Sequence, residues 1–92
     1  MMSKVARKIH DLIWLATKWC EQHPEDDELI LQASCKEAGS ALSLLLIKRA
    51  LVNEEETWQA AISQIDVGYR ASVTAPTAVL ALARLMSTTH AI

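Results

Sequence analysis

Turn-forming residues are scarce in this 92-residue chain, which holds two glycines, Gly39 and Gly68, and two prolines, Pro24 and Pro76. A β-sandwich or barrel asks for a turn signal every ~8–12 residues, and this supply predicts that the chain avoids strands. Two isolated glycines also exclude a phosphate-cradling loop or a dinucleotide fingerprint, both of which need several glycines close together. The cysteines, Cys20 and Cys35, are too few for a disulfide framework. Each reads as a small buried apolar residue, which fits the reducing cytoplasm.

A basic excess is missing as well. The formal net charge is −2 and the pI lies near 5.8, whereas a nucleic-acid domain usually carries surplus Lys and Arg. The longest apolar runs, 41–47 and 78–83, fall far short of the ~20 residues of a membrane helix. Lys4, Arg7 and Lys8 precede an apolar stretch, but His10, Asp11 and Lys18 interrupt it, unlike the core of a signal peptide.

What remains is rich in Ala and Leu, and 51% of residues are hydrophobic. We therefore expect a single all-α domain over 1–92, an antiparallel bundle of four helices at 3–22, 25–51, 54–71 and 75–87. Three long helices are the alternative. In the first helix Val5, Ile9, Leu12, Ala16 and Trp19 recur at spacings of four and three, one stripe of a helix. Leu31, Cys35, Ala38, Leu42 and Leu45 repeat that pattern in the second, with Gly39 as a point of bending or breakage. Trp58, Ile62, Ile65 and Tyr69 line one face of the third, and Asn53 followed by Glu56 resembles a capping box. Thr74 and Pro76 open the fourth. The expected core is Ile9, Leu12, Ala16, Leu42, Leu45, Trp58, Ile62, Ile65, Leu80 and Leu82. Acids crowd residues 25–28 and 54–56, where the starts of two helices favour negative charge. An up-down bundle would hold those two starts at opposite ends.

Chemistry is hard to find. No serine stands in a nucleophile-elbow setting, and the paired carboxylates occur only at the expected helix starts. Cys20-x-x-His23, with Cys35 and His10, supplies thiolate and imidazole ligand types, but the spacing matches no standard zinc motif. No cofactor or metal is therefore assigned. Elimination leaves a non-enzymatic protein–protein interaction module: a small regulator, adaptor or inhibitor that docks through apolar helix surfaces. Its candidate contact residues are Trp14, Leu44, Leu46, Ile47, Val79, Leu82 and Met86, and its partner is another protein or a second copy, as a homodimer. The alternative is a small dimeric DNA-binding transcriptional regulator. Cys35 and Gly39 mimic helix-turn-helix spacing, but residues 40–47 lack the Arg, Asn or Gln that reads base edges. Lys4, Arg7 and Lys8, or Lys48 and Arg49, would then contact phosphates.

Overall fold

The computed structural model describes residues 4–35, 41–64 and 69–89, with side chains over 9–32, 43–64 and 70–89. Two helices bracket a four-stranded antiparallel meander: α1 (Lys4–Gln22), β1 (Glu28–Cys35), β2 (Ala41–Val52), β3 (Glu55–Gln64), β4 (Tyr69–Ala75) and α2 (Ala78–Thr89). The strands follow one another across the sheet in chain order. The fold is thus α+β, which overturns the all-α bundle. The expected first and fourth helices stand, whereas 25–51 and 54–71 are pairs of strands.

Physical reasons for the correction lie in three places. Residues 41–47 form a nearly continuous apolar run, and periodicity cannot tell a buried strand from a buried helix there. The run belongs to β2, a central strand. In β3, Trp58 and Ile62 are four apart, a spacing that a 3.6-residue helix and a two-residue strand repeat both place on one face. The alternation Trp58, Ala60, Ile62, Gln64 points toward the helices, and Gln59, Ala61 and Ser63 point away. Finally, Asn53 and Glu54 cap no helix. They have φ of 52° and 68° and join β2 to β3 in a two-residue hairpin closed by the Val52–Glu55 pair. Positive φ at both turn residues matches the right-handed twist of the flanking strands. Asn tolerates that conformation; Glu ordinarily resists it.

The scarce turn residues are spent one to a connection. Pro24 lies between α1 and β1, Asn53 between β2 and β3, and Pro76 between β4 and α2. Residues 36–40 and 65–68, which contain Gly39 and Gly68, fall between the remaining strand pairs. The suggested bend at Gly39 lies outside the described residues, as do the side chains of Leu42 and Ile65.

Both helices pack on the same face of the sheet and against each other. Ile9, Leu12, Ile13 and Ala16 of α1 and Ala81, Leu82 and Leu85 of α2 meet Leu45, Ile47, Ala60, Ile62 and Ala75. Each large side chain closed here stabilises the fold by about 1.5–3 kcal/mol. Six of the expected core residues are buried there: Ile9, Leu12, Ala16, Leu45, Ile62 and Leu82. Trp58 packs half-buried at the margin, while Leu80 is 40% exposed on the outside of α2. One polar pair enters the core. Ser43 and Gln64 face each other across β2 and β3, and the Ser43 hydroxyl donates to Gln64 Oε1 at 3.0 Å. The α2 start is fixed by Thr77, whose Oγ1 accepts from the Leu80 amide at 3.1 Å as an N-cap. That places the helix three residues beyond the expected start and carries it to Thr89, which is buried.

Candidate functional site

Among the described residues, a two-layer arrangement leaves one face of the sheet without a helix. Strand alternation assigns its residues, and the register sets them in rows. The middle row runs Ile30, Leu46, Ala61, Ser72 across β1 to β4. Beside it on one side lies Gln32, Leu44, Ser63, Arg70, and on the other Glu28, Lys48, Gln59, Thr74. None of these residues belongs to the core cluster. Ile30 is 56% exposed, and Leu44 and Leu46 are half-buried. The face is uneven. Large apolar side chains stand on the β1–β2 half; on the β3–β4 half the small Ala61, Ser63 and Ser72 lie between the longer Gln59 and Arg70, and together they line a shallow hollow of about 320 Å³. Gln59 Nε2 donates to Ser72 Oγ at 3.0 Å along its floor.

A second concavity, of about 250 Å³, opens where the end of α1, the α1–β1 connection, the β2–β3 hairpin and the start of α2 converge. Cys20, His23, Asp26, Arg49, Trp58 and Thr77 line it. Its charged groups are engaged in holding the chain. Trp19 stacks on His23 with centroids 3.8 Å apart, and its indole N–H donates to Asp26 at 2.9 Å. Arg49 lies over the Trp58 ring at 5.1 Å, its Nε 3.4 Å from Asp27 and a terminal nitrogen 3.8 Å from Glu56. Burial, and after it the charge of Asp26, pushes the Cys20 thiol above its ordinary value. A thiol so placed is a weak nucleophile, since only the thiolate attacks. Among the described residues no three His, Cys, Asp or Glu side chains come together as a metal site. Cys20 and His23 share the cleft wall; the Cys35 side chain lies outside the described residues.

The acidic runs are corrected here too. No helix begins at residue 25 or 54, and both runs flank Arg49 at one end of the molecule rather than lying at opposite ends. Trp19, which spacing puts on the apolar stripe of the first helix, is 41% exposed and turned to the loop.

No family model, curated protein or solved structure matches this chain. The sites rest on their geometry alone.

Of the seven contact candidates, Leu44 and Leu46 sit on the helix-free face. Trp14 is 58% exposed on the outer side of α1 with the Lys18 ammonium 5.2 Å over its ring, and Val79 is exposed on α2. Ile47 and Leu82 are closed inside the core, so these two offer no docking surface, and Met86 packs half-buried against it. A helix would have grouped Leu44 with Ile47; a strand turns them to opposite faces. Ile30, Ala61 and Ser72 were missed, although Leu29–Leu31 inward against Ile30–Gln32 outward is an alternation visible once a strand is assumed. The recognition helix of a helix-turn-helix has no counterpart, because 41–47 are strand. Lys4, Arg7 and Lys8 have side chains outside the described residues. Among the described residues no helix is long and apolar enough to cross a membrane.

Proposed function

We propose that this chain is a non-enzymatic interaction module that docks through the helix-free face of its sheet. The observation behind the proposal is the apolar group Ile30, Leu44 and Leu46, standing clear of the core on a face that neither helix covers. Contiguous exposed apolar surface rimmed by polar residues marks interaction sites, and here Gln32, Lys48, Gln59 and Arg70 supply the rim. The non-enzymatic part draws support from the cleft, whose His23, Asp26 and Arg49 are tied to neighbouring groups and whose thiol is held protonated. The unpaired thiol of Cys20 supports a cytoplasmic setting.

The test is a photo-crosslinking residue at position 30, compared with one at exposed Ser87 on the outside of α2, in living cells. The proposal expects a discrete protein adduct from position 30 and none from 87. Absence of any adduct at 30 would sink it.

A further inference from the structure

Building on the docking reading above, we infer that the occupant of the helix-free face is a second copy of this chain, related by a two-fold axis that runs along the strands between β2 and β3. Shape carries the argument first. The face is split into a raised half, with Ile30, Leu44 and Leu46, and a low half, with Ala61, Ser63 and Ser72 around the hollow. A two-fold along the strands lays β1 over β4 of the second copy and β2 over its β3. Each row keeps its level. Ile30 then meets Ser72 of the second copy, Leu46 meets Ala61 and Leu44 meets Ser63, each large side chain against a small one. The same contacts recur on the other side of the axis, as an isologous interface requires.

A two-fold running across the strands fails on the same criterion. It would set β1 on β1 and β2 on β2, raised half against raised half, and leave the two hollows facing each other empty. Packing at interior density tolerates neither the collision nor the void.

Charge agrees with shape. Along the strand-parallel axis Lys48 meets Gln59, Glu28 meets Thr74 and Arg70 meets Gln32, so no like charges oppose each other. Glu28 and Lys48 already stand opposite one another within each sheet. The central residues Ile30, Leu44, Leu46, Ala61, Ser63 and Ser72 carry no charge at all, and a charge-poor centre is what a buried interface core needs.

Area is adequate. With strands ~4.8 Å apart and ~3.4 Å per residue, ladders of seven to ten pairs cover about 500 Å² in plan. Side-chain relief raises the accessible figure toward the ~800 Å² per partner of a standard interface. Two such faces, ~10 Å apart, make a β-sandwich with helices on both outer surfaces.

Light scattering on the purified full chain reads the mass. The expected value is twice 10.2 kDa, falling to a single chain for Ser72→Arg and for Leu46→Arg while the far-UV circular dichroism stays unchanged. Ser72 is exposed on an edge strand, so its substitution fills the low half without entering the core. Ser87→Arg, on the helix layer, leaves the dimer intact. Geometry is read by mixing Ile30→Cys chains with Ser72→Cys chains. The mixture forms a disulfide-linked dimer under mild oxidation that neither chain forms with itself.

A wild-type monomer overturns the inference, as does a dimer that survives Ser72→Arg and Leu46→Arg together. Self-linkage of Ile30→Cys without linkage to Ser72→Cys overturns the axis. A monomer whose position-30 crosslinker captures a different protein removes the second copy and leaves the docking proposal standing. A monomer with no adduct removes both.

Discussion

The two faces of the sheet are cut from the same strands and differ in what they can lose. On the covered face, Leu45, Ile47, Ala60 and Ile62 are fully enclosed by α1 and α2. On the other, Leu44, Leu46 and Ala61 alternate with them along the same backbone yet stand outside the core cluster. Each face even holds one cross-strand hydrogen bond between a serine and a glutamine. Ser43–Gln64 is buried, and Ser72–Gln59 is exposed, both at 3.0 Å. The pair of faces teaches that position relative to the helices, not residue type, sets the energetic weight of a side chain.

The sharpest way to break that comparison is a matched truncation. Ile62→Ala should cost about 2–5 kcal/mol in urea unfolding, since it opens a cavity in the core. Ile30→Ala, the same truncation at a residue 56% exposed on the other face, should cost about 1 kcal/mol or less. Equal costs would mean that the helices do not discriminate between the faces. Next in size is the polar pair. Ser43→Ala removes a buried partner of Gln64 and should cost about 1–3 kcal/mol, while Ser72→Ala on the exposed pair should cost well under half of that.

Smaller effects probe the frame around the faces. Glu54→Gly should raise stability by about 0.5–1 kcal/mol, because Glu54 holds φ at 68° and glycine pays no steric penalty there. A stability loss would show that the Glu54 side chain compensates for its backbone. The smallest effect concerns the cleft beside the covered face. Cys20 should react with iodoacetamide at neutral pH more slowly than an exposed cysteine, since its raised pKa leaves less thiolate. Asp26→Asn should speed that reaction modestly by removing the secondary cause, and burial should keep it below the rate of a free thiol. A rate unchanged by the substitution would assign the whole shift to burial.

The terminal helices were legible because spacings of three appear alongside spacings of four. Ile9–Leu12 and Ala16–Trp19 lie on one side of a helix and on opposite sides of a strand, so α1 had one reading. Trp19 shows the limit of this reasoning. It belongs to the stripe by spacing, yet the chain reverses at Pro24 just beyond it, and its indole finds Asp26 instead of the core. Between the helices the signals were degenerate. The run 41–47 has no polar period to measure, and the hairpin at Asn53–Glu54 lacks the glycine that usually advertises such a turn. Its acids invited a cap. A helix reading of 41–47 grouped residues that the strand separates: Leu44 and Leu46 lie on the helix-free face, while Ile47 passes to the core. The shape of that face was beyond reach, since Ala61 and Ser72 acquire meaning only from the register that sets them beside Leu46.

The contact between α1 and α2 has a consequence for the order in which the molecule can be made. Hairpins form between sequence neighbours, so β1 to β4 can zip in turn as the chain leaves the ribosome. The covered face cannot be covered then, because α2 emerges after the sheet and completes a layer that α1 began. Until residues 78–89 appear, Leu45, Ile47 and Ile62 stand half-sheltered and the opposite face stands bare. Both sides of the nascent sheet present apolar side chains during that interval, and α2 is the segment whose arrival closes one of them.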